Sequence, residues 1–380
     1  MGKEATQNHN PKDDMTAASL AVRSIGTNPT PIWGMTSTER LRRIAAAQKL
    51  RFGATDGPAL LVAASHVFEP AWLKFMEQRP GQVLTLGGEK VIAHVPDDQH
   101  HVADGSHSEF PQQLTEVRAE DHRLFYNEAL RKREEPVIER LDPASVRAIE
   151  RKTYLGAYKG VTDLLTKYLW PEWALVLTRI AARIGMTPNQ VTTIGAIMCV
   201  LATAAFWYGH YWAGMAAGLV FMVLDTVDGK LARCTITSSA WGNIFDHGLD
   251  LVHPPFWWAA WAVGLGSWNL AISEETFGLV MVAIVGGYVV QRIIEGLFIG
   301  RFGMHIHVWE KVDSDFRLIT ARRNPNMVIL FVATLLQRPD IGLIAVAWWT
   351  VLSCAFHAVR LLQAMARQAH GAAITSWLAV

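Results

Sequence analysis

The stretch Asp225-Thr226-Val227-Asp228-Gly229-Lys230-Leu231-Ala232-Arg233, followed after eight residues by Gly242, Asp246 and Asp250, decides how this chain is read. Asp225 and Asp228 stand three apart, and Asp246 and Asp250 stand four apart. On helices each pair shares one face, with Cβ atoms about 5–6 Å apart. Two such helices side by side bring four carboxylates together. The flanks make this unusual, because neither Trp212–Leu224 nor Leu251–Ser273 contains an Asp, Glu, Lys or Arg. A solvated acidic loop is the competing reading, and the apolar flanks argue against it. Acidic groups placed among membrane-type segments are costly and serve function. Collected carboxylates in a poorly hydrated site need a counter-charge. Their oxygens suit Mg²⁺, Mn²⁺ or Ca²⁺ better than zinc or copper.

Working outward, the 380 residues are 51% hydrophobic and 18% charged, which leans toward a membrane protein. The average hides a split: residues 1–155 are polar and charged, and residues 186–365 are dominated by apolar runs. A net charge of +1 gives no bias toward nucleic acid. Cys199, Cys234 and Cys354 show no metal or redox spacing. The first thirty residues hold no apolar core of signal-peptide length, so a cytosolic N-terminus is expected.

Residues 1–33 read as a disordered tail. Thr36 and Glu39 open a helix to about Lys49 with a capping box. Ala59–Ala64 reads as a buried strand and Glu69–Gln78 as a helix with Trp72, Phe75 and Met76 on one side. Gln82–Leu86 and Val91–Val95 around Gly87-Gly88 read as a hairpin. This order predicts a small α/β domain over 34–112. Residues 113–157, rich in Glu, Arg and Lys, read as a charged helical linker broken at Pro136 and Pro143. From Tyr158 to Arg183 an amphipathic pattern predicts a helix lying in the membrane interface.

Six spans then fit, at about 190–209, 211–232, 240–263, 276–300, 325–337 and 340–365. The fifth is short and must borrow from Ile319–Asn324 or thin the bilayer. Lys and Arg cluster before the first span, between the second and third, between the fourth and fifth, and after the sixth. The positive-inside rule therefore expects both termini and the aspartates on the cytoplasmic side of the cell inner membrane. The fold class expected is a polytopic α-helical membrane protein with six transmembrane helices and a small cytosolic α/β N-terminal domain.

The aspartate stretch matches D-x-x-D-G-x-x-A-R, eight residues, then G-x-x-x-D-x-x-x-D, and so resembles the signature of the CDP-alcohol phosphotransferases. That resemblance covers about 158–370. It implies an integral membrane enzyme that cleaves a CDP-alcohol, releases CMP and joins the phospho-alcohol to a second alcohol, as in phospholipid synthesis. It implies two Mg²⁺ or Mn²⁺ ions on Asp225, Asp228 and Asp246, with Asp250 as general base and further ligand. Gly229 and Arg233 belong to the nucleotide site in the same way. Thr187-Pro188-Asn189-Gln190-Val191-Thr192 matches a second family stretch, which implies that Asn189 and Thr192 line the nucleotide site and that Ser239 meets the cytidine. For Thr187 and Pro188 a plain helix start is an equal reading. The family also implies a homodimer and no nucleic-acid partner.

The α/β domain has a weaker resemblance to nucleotidyltransferases. It lacks a Gly-rich triphosphate loop, and Ala64-Ser65-His66 stands where an acidic metal ligand would be wanted. It is read as a degenerate relative or a docking module, with His66 structural. A chain cut before Tyr158 is then expected to keep transferase activity.

The donor and acceptor alcohols stay open. A lipid donor requires an apolar groove opening between spans at the level of the aspartates. A phosphorylated polyol acceptor requires a basic pocket, for which Arg292, Arg322 and Arg323 are the candidates; Arg292 pairing with Glu295 is an equal alternative. The lipid-forming reading is favoured. The alternatives are an inositol-phosphate-type transferase using a soluble CDP-polyol, and a catalytically silent membrane scaffold. His305 and His307 receive no role.

Overall fold

Ten strands precede the bundle in the computed structural model, which describes residues 20–96, 109–122, 125–128 and 130–379. They are β1 (Ala21–Ile25), β2 (Arg51–Phe52), β3 (Ala59–Ala63), β4 (His66–Phe68), β5 (Gln82–Leu86), β6 (Glu89–Val95), β7 (Thr115–Arg118), β8 (Phe125–Asn127), β9 (Lys132–Glu134) and β10 (Ile138–Arg140). Six of them form a mixed sheet in the order β2-β1-β3-β6-β5-β7. β3 lies parallel to β1 and antiparallel to β6, and β5–β6 is the predicted hairpin.

The apolar run at β3 is continuous because both of its faces are covered. Leu60 and Val62 pack with Leu41 and Ile44 of α1 (Ser37–Ala47) and with Trp72 and Met76 of α2 (Pro70–Glu77). Ala59 and Leu61 pack on the other face with Ala21, Val83 and Ala93. Thr36 caps α1 through its Oγ1, which accepts from the Glu39 backbone N–H at 3.2 Å. The Glu39 carboxylate turns to Arg42 and Arg43 instead of back to Thr36, so only half of the capping box forms.

Two expectations are corrected here. Residues 1–19 of the predicted tail lie outside the described residues, but its end is β1, inside the sheet. Leu20, Ala21, Val22 and Ile25 are buried there, and so short a run does not stand out among polar neighbours. The segment 113–157 is not a helical linker. It forms β7 to β10, and a helix, α3 (Val146–Gly156), only at its end. β7 adds to β5 and β10 adds to β4. Their charged side chains are those of edge strands facing water. The α/β unit therefore runs from Leu20 to about residue 140. Pro136 and Pro143 do fall between elements. His66 is buried beside Ser65 and Glu89, in keeping with a structural role.

Beyond α3 the chain is helical: α4 (Pro171–Arg183), α5 (Pro188–Trp207), α6 (Tyr211–Cys234), α7 (Ala240–Gly264), α8 (Glu274–Phe302, with a π turn at Val282–Gly286), α9 (Lys311–Arg317), α10 (Arg323–Leu335) and α11 (Pro339–Ala369). The expected interfacial helix is broken at Trp170: a π-helical turn, Leu165–Leu169, comes first, and α4 starts at Pro171, a residue suited to a first helical position. It exposes Trp173, Val176, Leu177 and Ile180. Among the described residues three helices, α5, α8 and α11, are long and apolar enough to cross a membrane. α5 has 20 residues, about 30 Å of helix. Its outward side chains Ile197 and Val200 are exposed, as are Leu297 on α8 and Trp348 on α11. Inside, Tyr211 stacks on Trp261 at 4.1 Å, and Phe206 meets Trp257 edge-on. Gly264 is required where α7 meets the end of α5, because a Cβ there would lie 2.0 Å from the Phe206 carbonyl.

The two units are joined at the end of α6. Arg40 and Arg43 of α1 donate to the carbonyls of Cys234 and Thr235 at 3.1 and 2.9 Å. Cations suit this position because the last carbonyls of a helix carry negative partial charge.

Candidate active site

α6 carries Asp225 and Asp228, and α7 carries Asp246 and Asp250. One carboxylate oxygen each from Asp225, Asp246 and Asp250 lies within 4.8 Å of the others. Three hard oxygen donors at that spacing fit a divalent cation of the Mg²⁺, Mn²⁺ or Ca²⁺ kind. Asp228 stands beside this set and is buried. Its Oδ2 accepts from Thr192 Oγ1 at 2.5 Å and its Oδ1 from the Gly229 N–H at 2.5 Å. Each oxygen keeps a free lone pair.

Arg323 was a candidate for holding an acceptor, but it belongs to the acidic end. Its Nη2 donates to Asp225 at 2.8 Å and its Nη1 to Asp250 at 2.7 Å. Its guanidinium lies 4.7 Å over the Phe221 ring. The helix carrying it packs on α6, which sequence separation conceals. α7 also contains Pro254 and Pro255. Neither has an N–H, so the carbonyls of Asp250 and Leu251 four residues earlier receive no helical hydrogen bond.

Asn189, Thr192, Gly229, Arg233 and Ser239 line one cavity with the four aspartates, of ≈ 760 Å³. Thr187 and Gln190 form a reciprocal cap at the start of α5, and Pro188, in its first turn, also lines the cavity. Ser239 Oγ caps α7 by accepting from the Gly242 N–H at 3.0 Å. Gly242 is needed there, since a Cβ would lie 2.8 Å from Asn189 Oδ1. Arg233 Nε is buried without a hydrogen-bond partner.

The cavity continues to a basic end. Arg292 pairs with Glu295 at 3.0 Å, and Arg322 reaches the same carboxylate. His307 Nε2 lies 3.3 Å from Glu295 and 3.2 Å from Arg322 Nη2. The two readings of Arg292 are therefore compatible: it pairs with Glu295 and lines the cavity. Glu295, like Arg292, lines the cavity as a charged residue within an apolar run should, whereas reading the sequence missed His307, Arg131, Lys159 and Arg317 as cavity residues. The His305-x-His307 alternation was the one available signal. Burial, then the nearby Arg131, brings Lys159 down to about 8, and burial, then Arg322, brings Arg317 down to about 9. Burial also lowers His305 to about 4. Lys230, within the motif, turns away from the acids. Its Nζ donates to the Ala157 carbonyl at 3.0 Å and lies 3.4 Å over the Tyr158 ring, pinning the approach to the bundle.

Known proteins share this region. Cholinephosphotransferase 1 of Gallus gallus is 32% identical over 129 residues, which are 30% of this chain and 36% of that protein. Archaetidylinositol phosphate synthase of Pyrococcus horikoshii is 27% identical over 188 residues, 48% of this chain and 88% of that one. Phosphatidylinositol phosphate synthase of Mycobacteroides abscessus is 32% identical over 121 residues, 30% of this chain and 54% of that one. The chain thus spans about a third of the cholinephosphotransferase and most of the archaeal synthase. A crystal structure of Mycobacterium tuberculosis phosphatidylinositol phosphate synthase with CDP-DAG bound aligns at 16% identity and a TM-score of 0.39, over 50% of this chain and 92% of that one. Residues 185–311, which hold all four aspartates, match the CDP-alcohol phosphatidyltransferase family profile.

Proposed function

We propose that the protein is a membrane CDP-alcohol phosphotransferase with six spans, α5 to α8, α10 and α11, and with both termini and the aspartates on the cytoplasmic face. The observation that carries this reading is the convergence of Asp225, Asp246 and Asp250 within 4.8 Å, inside the stretch that matches the family. The acceptor hydroxyl attacks the phosphorus bearing the donor's alcohol. The P–O bond to CMP breaks, CMP leaves with the bonding electrons, and a new phosphodiester forms. Asp225, Asp228, Asp246 and Asp250 would hold one or two Mg²⁺ or Mn²⁺ ions, which supply charge neutralisation for the diphosphate and the leaving CMP. Asp250, the most exposed of the three converging acids, takes the proton of the attacking hydroxyl. Arg323 orients Asp250 and offsets the charge it shares with Asp225. Arg233 offers its planar fork to a donor phosphate. A homodimer is expected from the family.

An apolar groove supports a lipid donor such as CDP-diacylglycerol. It measures ≈ 460 Å³, runs between α7 and α8, and shares Leu251, Tyr288 and Arg292 with the main cavity. Its rim residues Leu251, Val289 and Ile293 face outward. Arginines do face the cavity, as a phosphorylated polyol acceptor would require, and the apolar groove joins that same cavity.

The test is CMP release by purified protein in lipid nanodiscs with Mg²⁺ or Mn²⁺ and a panel of CDP-alcohols. Release with CDP-diacylglycerol, stopped by a chelator, is expected. No release across the panel would favour the silent scaffold. Release only with soluble CDP-polyols would replace the lipid donor.

A further inference from the structure

The turn between α6 and α7 joins the helices that carry the aspartates, and it ends α6 on an uncommon residue. The Ile236 N–H donates to the Arg233 carbonyl at 3.3 Å, and the Thr237 N–H donates to the Ala232 carbonyl at 2.8 Å. This pair of bonds is the Schellman ending of a helix, whose left-handed position is usually filled by glycine. Here it is filled by Ile236, at a φ of 54°. A β-branched residue is costly in that conformation and persists only where its surroundings hold it. Thr237, Ser238 and Ser239 follow at once and line the cavity beside Arg233 and Asn189. Ser239 also caps α7.

The α/β unit holds the turn. Ile236 packs against the core of that unit, the cluster that includes Leu41, Phe68 and Trp72. A glycine would relieve the backbone but could not make this contact. Arg40 is buried, and its guanidinium donates to the carbonyls of both Cys234 and Phe68, so one side chain spans the two units. Arg43 donates to the Thr235 carbonyl and is itself fixed by Glu39 at 2.6 Å. The Cys234 and Thr235 carbonyls are among the last of α6, which lack partners inside the helix. Neither arginine lines the cavity, so both act on the backbone of the turn.

We propose that Arg40, Arg43 and Ile236 are positioning residues for the nucleotide end of the cavity: through them the α/β unit holds the α6–α7 turn in its left-handed form and so sets Arg233 and Ser239 for the donor. The proposal rests on the transferase reading above. Arg233 lies three residues before Ile236 and Ser239 three residues after it, so a shift of the turn moves both. Groups that bind substrate work only when the shell behind them is locked. The expectation that a chain without the α/β unit keeps transfer is replaced by weakened use of the donor.

The experiment uses the full chain in nanodiscs, with CDP-diacylglycerol as donor. Arg43→Gln and Ile236→Gly are each expected to raise donor KM about fivefold or more, with kcat and acceptor KM changed less than about twofold. Arg43→Lys keeps a donor for the Thr235 carbonyl and is expected to return donor KM to within about twofold of the wild type. Ile236→Gly exchanges lost packing for relief of the left-handed backbone, so its melting temperature is expected to stay near that of the wild type. Hydrogen exchange at residues 235–239 is expected to quicken in Arg43→Gln and Ile236→Gly. The two variants lie in different units, so misfolding of one leaves the other informative. Unchanged donor KM in both overturns the proposal. So does a joint loss in donor KM, kcat and melting temperature that Arg43→Lys does not rescue, which marks a contact that serves stability alone. If the wild type releases no CMP, the transferase reading fails by itself and calorimetric binding of CMP decides the proposal. Weaker CMP binding in the variants then upholds it, and equal binding overturns it.

Discussion

Asp225, Asp228, Asp246 and Asp250 come from one stretch of chain, residues 225–250. Arg131, Lys159, Arg292, His307, Arg317 and Arg322, at the other end of the same cavity, come from separate segments between residues 131 and 322. The acidic end needs only helix periodicity and the packing of two consecutive helices. The basic end needs the α/β unit docked, the loop before α4 in place, and α8, α9 and α10 gathered around Glu295. Chemistry common to a family can live in the first kind of site. Selectivity particular to one chain can be added through the second without disturbing the first.

The largest effect should come from the acidic end. Asp225→Asn or Asp246→Asn keeps the side-chain size and removes a charged ligand. Turnover should fall about 10²–10³-fold with every acceptor, while the circular-dichroism melt stays near that of the wild type. Near-normal turnover in either variant would rule out the carboxylate site and dissolve the contrast between the two ends.

A smaller and more selective effect is expected at the basic end. Glu295→Gln removes the counter-charge shared by Arg292 and Arg322 and the partner of His307. The freed arginines lose their fixed positions. Acceptor KM should rise roughly tenfold, with kcat for CMP release changed less. A loss in kcat equal to that in the aspartate variants would show that the two ends act as one unit.

The smallest effect concerns the junction on which the basic end depends. Glu69 lies against Gly156, and burial, followed by the neighbouring Glu134, raises its carboxyl to about 7. A raised pKa means that the fold favours the protonated form. This contribution to stability is full below about 4.5 and is lost as pH rises through about 7. Glu69→Gln mimics the neutral form at every pH. Its melting temperature should equal that of the wild type near pH 4 and exceed it near pH 8, by an equivalent of about 1–3 kcal/mol. The same difference at both pH values would show that Glu69 does not titrate in this range.

Much of the site was legible because its signals are local. The three- and four-residue spacings place carboxylates on helix faces, and the uncharged flanks set them within apolar runs. Thr36 before Glu39, Gly87-Gly88 between apolar strands, and the short fifth apolar run, which became the 13-residue α10, also report on their neighbours in sequence. Tertiary structure decided what depends on distant partners. β1 is a strand because β3 lies beside it, not because of its own composition. β7 and β10 take charged residues into strands because existing sheet edges accept their backbone groups. Arg323 sits with Asp225 and Asp250, and Arg40 caps the motif helix from another unit. Hydrophobic period and residue type act over a few residues and can be read along the chain. A salt bridge or a shared cavity is set by where helices and sheet pack, and no spacing records which arginine will meet which acid.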